Sequence, residues 1–269
     1  MIIGGKSIAT EILSATRTRV AALGRTPVVR AVTVAPNPAT ESYLRIKETQ
    51  AQSAGMKLEV MRLPETATND AVIDAIRAGG ADAIIVQLPL PAGRQGFPGL
   101  DTKKILDTIP REKDADVLSH ATRESSLLPP VVGAVKEIFE RAHVEVKNKK
   151  AVVVGKGWLV GDPVAAWLTK EGAHVSVLTR ESGDLEQALH DADIVVSGAG
   201  SPHLIKPAML KQGVVLIDAG TSESDGALAG DADPACADVA SVFTPVPGGV
   251  GPIAVACLFR NVVDLLTQG

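Results

Sequence analysis

Short runs rich in apolar residues alternate along the chain with stretches in which apolar residues recur at helical spacing. Runs at Ala31–Val34, Leu58–Arg62, Ala83–Val86, Ala151–Val154, Val175–Leu178, Ile194–Val196 and Val214–Ile217 predict strands, with a further short one near Val242. Several lack the polar alternation of a half-exposed strand, the pattern of parallel strands covered on both faces. Helical spacing predicts helices over Ile8–Leu23, from a Thr40 N-cap to Gly55, over Asn69–Arg77, Thr102–Ile109, Val131–Arg141 and Asp184–His190. Repeated β-α-β units imply parallel sheets with right-handed crossovers, and so an α/β fold in two domains. Composition turns loop-like between Pro91 and Pro130, with glycine and polar residues over Arg94–Gly99. We therefore expect an N-terminal α/β catalytic or substrate domain over 1–119, against which a C-terminal helix 253–269 packs. A Rossmann-type dinucleotide domain is expected over 120–252.

The second domain opens on its most informative stretch, Lys149 to Gly172. Strand Ala151–Val154 runs into Gly155, Gly157 and Gly161, and Val164, Trp167 and Leu168 then recur at helical spacing behind Pro163. A proline is tolerated in a first helical turn. Strand, glycine loop and helix N-terminus in that order let backbone approach a pyrophosphate and offer it unpaired N–H groups. The spacing G-x-G-x-x-x-G is one residue longer than the common fingerprint, so an ordinary βα turn stands beside nucleotide binding as a reading.

Composition removes several classes. Hydrophobic residues make up 45% and aromatic ones 3%, so the core is aliphatic. A net charge of −4 without a basic cluster argues against nucleic acid as a partner. Cys236 and Cys257 form no disulfide framework, and five scattered histidines show no metal-ligand spacing. Neither a signal peptide nor an apolar stretch of membrane-spanning length is apparent, so the expectation is a cytoplasmic enzyme with no membrane partner and no metal.

Four polar groups in the first half carry candidate chemistry. Tyr43 and Lys47 stand at i and i+4 and share a helical face; the plain alternative is a packed ring beside a snorkelling lysine. Gln87 leaves an apolar strand into a proline-flanked loop and either ties down that loop or orients a neighbour. Asp114 and Asp116 form either a solvated turn or an anionic anchor. If the loops converge, these residues supply a proton-transfer lysine, an orienting amide and an anchor for a polar substrate.

Thr244–Pro252 holds three prolines and three glycines in nine residues, too apolar for a surface linker and suited to a rigid loop against a ligand. With this stretch the chain resembles the bifunctional methylenetetrahydrofolate dehydrogenase/cyclohydrolase family along nearly its whole length. Asn37–Lys47, Val86–Pro91, Lys113–Asp116 and the glycine loop match that family's blocks in the family order. The resemblance implies oxidation of 5,10-methylenetetrahydrofolate with NADP, or NAD in some members, and hydrolysis of the methenyl product to 10-formyltetrahydrofolate. It implies catalytic roles for Lys47 as acid/base, Gln87 as its holder and Tyr43 against the folate. Asp116, Pro247, Gly248 and Gly249 would contact substrate, and Gly155, Lys156, Gly157, Gly161, Thr179, Arg180 and Thr221 the cofactor. A cytoplasmic homodimer serving one-carbon metabolism and purine biosynthesis is implied by the same likeness.

Departures cluster in the cofactor half. Lys156-Gly157 replaces the family's Arg-Ser, Leu178-Thr179-Arg180 its Cys-His-Ser, and Ala115-Asp116-Val117 its Val-Asp-Gly. A member keeping one activity, or a non-catalytic binder on an inherited fold, are the competing readings. Strand Val175–Leu178 ends in Thr179-Arg180, which puts Arg180 in position to meet a 2′-phosphate with Lys156 helping, and so predicts NADP over NAD.

Overall fold

The structure, a computed structural model, describes residues 1–93, 99–123, 127–224 and 227–267. Arg94–Pro98, within the expected polar loop, lie outside the described residues. Contacts divide the chain into two units, Thr10–Pro130 with Val255–Gly269, and Met1–Ala9 with Val131–Ala254.

The first unit holds most of α1 (Gly5–Ala22), then β1 (Val28–Val34), α2 (Pro38–Ser53), β2 (Lys57–Leu63), α3 (Asn69–Arg77), β3 (Ala83–Val86), α4 (Thr102–Leu106) and α5 (His120–Arg123). All three strands are parallel in the order β2-β1-β3. Because β1 sends the chain to one side for β2 and to the other for β3, the sheet reverses direction between β1 and β3. Ligands in open α/β sheets sit outside the strand C-termini at such a reversal. Val72, Ile76, Ile84, Ile105 and Leu106 fill one face of this sheet.

The second unit holds α6 (Pro130–Arg141), β4 (Lys150–Val154), α7 (Gly161–Lys170), β5 (His174–Leu178), α8 (Leu185–His190), β6 (Ile194–Ser197) and β7 (Val215–Asp218). A short antiparallel hairpin of β8 (Ser222–Ser224) and β9 (Ala227–Ala229) follows, then β10 (Val242–Phe243) and the start of α9 (Val250–Thr267). Its five-stranded parallel sheet has the order β10-β7-β6-β4-β5, so here the reversal lies between β4 and β6.

Several expectations are revised. The first boundary falls at Pro130 rather than Ser119, because His120 N donates to Asp107 Oδ1 at 3.0 Å and Leu128 O accepts from Asn261 Nδ2, which bind that segment to the first unit. Met1–Ala9 groups with the second unit: Ile3 N donates to Phe243 O, and Phe243 N donates to Met1 O. Asn37, not Thr40, caps α2; its Oδ1 accepts from Thr40 N at 2.8 Å, and Pro38 opens the helix. Helix α4 stops at Leu106, and α5 and the β8–β9 hairpin had no periodic signal.

Helix α9 also corrects the view that no stretch approaches membrane-spanning length. Its 18 residues are long and apolar enough to cross one. Half of that length is buried as core: Ile253, Ala256, Phe259, Val262 and Val263 are fully buried, and Asn261 Nδ2 donates to Ala115 O and Leu128 O, both at 2.9 Å.

Candidate active site

In the first unit the candidate residues gather at the reversal between β1 and β3. The Asn37 cap and a bidentate pair between Glu41 and Arg62 on β2, at 2.8 and 2.9 Å, fix how α2 leaves β1. Buried Leu44 and Ala51 seat the helix, which leaves Tyr43 and Lys47 half-buried one turn apart. Gln87 follows β3 directly, and its backbone N–H still pairs with Val32 O. Lys47 Nζ donates to Gln87 Oε1 at 3.0 Å, while Gln87 Nε2 donates to Leu88 O at 2.9 Å. The second bond sets the first, since an amide that gives its nitrogen to a carbonyl must turn its oxygen toward the lysine. The Leu88–Pro89 peptide beyond it is cis.

Asp114 and Asp116 do different work. Asp114 is fully buried, forms a parallel bridge with Ile84 on β3, and accepts from Leu118 N at 3.1 Å and Ser119 N at 2.7 Å. It is a structural clamp and not the solvated turn that composition allowed. Asp116 is half-buried and lies within electrostatic reach of Lys47. Burial pushes the Asp116 carboxyl above its usual range; the Lys47 charge pulls it down and Asp114 pushes it further up. Burial likewise lowers the Lys47 ammonium from its ordinary value, and Asp116 raises it in part. Each group's charge thus partly offsets the burial of the other. Tyr43 Oη is buried and has no partner among the described residues, so its hydroxyl is available to a ligand atom.

In the second unit the glycine loop leaves β4 at the other reversal. Gly155 has φ +101°, and a Cβ there would lie 2.6 Å from Gly198 O, just past β6. A Cβ on Gly161 would lie 2.1 Å from Gly155 O. Gly157, by contrast, has open space where its Cβ would be. Val160, at the N-cap of α7, brings no side-chain cap to the helix's first N–H groups. A dinucleotide pyrophosphate fits that arrangement: a tight glycine turn, an open approach at Gly157 and an uncapped helix start. Lys156, Thr179, Arg180 and Thr221 are exposed, and Thr179 Oγ1 and Ser182 Oγ pair at 3.1 Å to close the turn that carries Arg180.

The loop Thr244–Pro252 divides in function. Pro247, after a cis peptide, is exposed, and Gly248 has φ +104° with nothing near its missing Cβ. Gly249 is different: a Cβ there would meet Pro245 O at 2.7 Å and Thr244 Cβ at 2.8 Å. A Gly5 Cβ would meet Gly249 O at 1.9 Å, so α1 begins packed on this loop. A valine at Gly249 would therefore distort the loop itself and cost folding as well as turnover. Gly249 holds the loop's own shape, and Gly248 is the position with room for a ligand.

Two family models cover almost the whole chain. Residues 3–116 match the catalytic domain of tetrahydrofolate dehydrogenase/cyclohydrolase, and residues 129–268 match its NAD(P)-binding domain. The chain belongs to the tetrahydrofolate dehydrogenase/cyclohydrolase family. It is 34% identical over 275 residues to the bifunctional protein FolD of Staphylococcus aureus strain Newman, covering 97% of this chain and 94% of that protein. The crystal structure of bifunctional FolD from Campylobacter jejuni superposes with a TM-score of 0.91 at 28% identity, covering 100% of this chain and 99% of that one. A Trypanosoma brucei FolD structure, complexed with NADP cofactor and inhibitor, gives 0.89 at 31% identity over 100% and 97%. Within this family's two-unit frame, Lys47, Gln87 and Asp116 come together in the first unit, with Tyr43 on the same helix. The glycine-loop residues gather in the second.

Sequence reasoning passed over two residues, Asp218 and Asp231, both buried beside the nucleotide-side loops. Each is an aspartate within two residues of a glycine in a small, apolar setting (Ile217-Asp218-Ala219-Gly220 and Gly230-Asp231-Ala232), a signal that was available.

Proposed function

We propose that this protein oxidises 5,10-methylenetetrahydrofolate to the 5,10-methenyl form with NADP and hydrolyses that product to 10-formyltetrahydrofolate. The observation that carries the reading is the Lys47–Gln87 hydrogen bond beside the raised Asp116 carboxyl. A lysine whose ammonium is weakened by burial has more neutral amine at physiological pH, and Gln87 directs it without adding charge. In hydrolysis Lys47 takes a proton as water adds to the methenyl carbon and returns it to N5 as the ring opens, while the adduct's hydroxyl proton leaves to solvent as the formyl carbonyl forms. Asp116 hydrogen-bonds the pterin, and Tyr43 bounds the folate with its unpartnered hydroxyl.

Gly155, Gly157, Gly161 and the α7 N-terminus would hold the NADP pyrophosphate, with Lys156 and Arg180 toward the 2′-phosphate and Thr179 and Thr221 nearby. NADP, when bound, accepts the hydride from the methylene carbon. That step asks mainly for orientation of the folate, for which Pro247 and Gly248 offer an exposed, side-chain-poor surface. The test supplies methylenetetrahydrofolate with NADP or NAD and follows methenyl formation and methenyl decay separately. Arg180→Ala should narrow the NADP preference by about tenfold, the scale of one charge-assisted hydrogen bond. An unchanged preference removes Arg180 from 2′-phosphate recognition. Absence of both activities sinks the whole reading.

A cytoplasmic homodimer is part of this reading. Family membership supports it, and so does the second unit's sheet: Ile2 bridges to Phe243 at the β10 edge, while β5 pairs only with β4 among the described residues. Val177 on that open strand is 36% exposed. Val177→Lys should shift the protein toward monomer in sedimentation velocity, and an unchanged dimer would move the interface elsewhere.

A further inference from the structure

We propose that Asp231 is a positioning residue for the oxidative half of the reaction, its carboxylate holding the loop after β6 in the place where the nucleotide's glycine loop rests. The proposal rests on the NADP reading above, since it concerns how that site is shaped.

The geometry is local and one-sided. Asp231 is fully buried, and its side chain takes three short bonds from a single stretch: Ser197 Oγ and Ala199 N on Oδ2, and Ser201 N on Oδ1, each at 2.7 Å. Those residues span the last position of β6 and the loop beyond it. The same loop touches the glycine turn. A Cβ on Gly155 would meet Gly198 O at 2.6 Å and Ala199 Cα at 3.1 Å, and one on Gly198 would meet Val160 Cγ1 at 2.5 Å. Moving Ala199 or Gly198 therefore moves the floor under Gly155 and Val160, at the strand reversal where the nucleotide binds.

Asp231 is itself held from behind. Its backbone N–H donates to Asp218 Oδ1 at 3.2 Å, and the same oxygen accepts from Gly220 N at 2.9 Å. Ala232 N donates to Asp218 Oδ2 at 2.8 Å, and Thr244 Oγ1 accepts from Asp218 N at 2.7 Å. Gly220 and Gly230 have no room for side chains here; a Cβ on Gly220 would lie 2.3 Å from Asp231 Cγ, and one on Gly230 2.1 Å from Asp218 Oδ2. Loops following β6 and β7 thus meet on two adjacent carboxylates. Asp231 spends all its reach on loop donors and so acts on the nucleotide through them, not by contact. The hydrolytic half uses Lys47, Gln87 and Asp116 of the first unit and serves as an internal control.

The test compares Asp231→Asn with the milder Ser197→Ala, which removes one donor and leaves both backbone bonds. NADP affinity is read by calorimetric titration, alongside KM for NADP, kcat for oxidation, methenyl hydrolysis and Tm. An amide presents an NH₂ to one of the loop N–H groups, so Asp231→Asn should raise the NADP Kd and KM about tenfold. Ser197→Ala should raise them less, and both variants should keep wild-type methenyl hydrolysis. Unchanged NADP affinity in both variants overturns the proposal. So does a joint fall of Tm and both activities in Asp231→Asn while Ser197→Ala binds NADP as wild type does, because that pattern belongs to a purely structural clamp. Wild-type protein that binds NADP without oxidising the folate defeats the functional reading and leaves the titration standing as the test of Asp231. A wild type that binds no NADP overturns both.

Discussion

Lys47→Met is expected to slow methenyl hydrolysis by about 10²–10⁴-fold, the span that a positioned acid/base group contributes. Methionine keeps the apolar stem and deletes the amine that Gln87 directs. The protein should remain folded. Losing the hydrogen bond to Gln87 costs about 1 kcal/mol, and deleting a buried amine works in the opposite direction. Its sign follows from linkage. The folded-state pKa of Lys47 lies below its ordinary value, so its stability contribution is present above the unfolded pKa and is lost as pH falls through the folded one. The variant is thus relieved of a group that opposes folding on the acid side. Wild-type hydrolysis should rise with pH as the Lys47 ammonium gives up its proton, then level off. Gln87→Glu should push that rise to higher pH, since a carboxylate at 3.0 Å would favour the ammonium form. Methenyl decay by folded Lys47→Met at the wild-type rate would take Lys47 out of the mechanism.

Gly155→Val should have a comparably large effect on the other activity. The residue sits at φ +101°, where a β-branched side chain is strained, and its Cβ would press on backbone atoms that cannot swing aside. The glycine turn must then lift off the β6 loop, and a displacement of about 1 Å at a reacting site costs on the order of 10² in rate. NADP-dependent oxidation should fall by about that factor, with hydrolysis retained. Gly157→Ala is the informative companion: its Cβ meets nothing in the protein, so any rise in KM for NADP without a change in Tm reports the ligand itself. Wild-type KM for NADP in Gly155→Val would detach the loop from the nucleotide.

Both strand-loop-helix turns were legible because the signals were local. Ala83–Val86 and Ala151–Val154 read as buried parallel strands and are, and the residue that follows each of them, Gln87 or Gly155, was singled out in advance. The i and i+4 pairing of Tyr43 and Lys47 needed only helical geometry. What escaped depends on residues distant in sequence. Nothing near Asp114 tells that it bridges to Ile84, and nothing near Gly249 tells that Gly5 presses on it. Asp231 binds Ser197, Ala199 and Ser201 across some thirty positions, beyond the reach of any periodicity. The same limit misassigned Met1–Ala9, in which Met1–Ile3 pair with Phe243 on β10 ahead of the helix that begins at Gly5. Val117 is a case apart: it replaces the family's glycine at φ +56° with its side chain buried, and no local rule would put a β-branched residue there.

Neither unit is one continuous length of chain, and this bears on how the nascent polypeptide acquires its shape. Domains that are contiguous can fold in turn as they leave the ribosome. Here the first unit must wait for α9, which follows the whole second sheet in the chain, to supply Phe259 to its core and Asn261 to the carbonyls of Ala115 and Leu128. The other must hold Met1–Ile3 in reserve until Phe243 has been translated. Met1–Ile3 and Leu128 therefore lack their final neighbours while the strands of the second sheet are being made. Closing such long loops is what slows folding in chains with distant contacts, so completion of both units is tied to the stretch from β10 through α9 rather than spread along the chain.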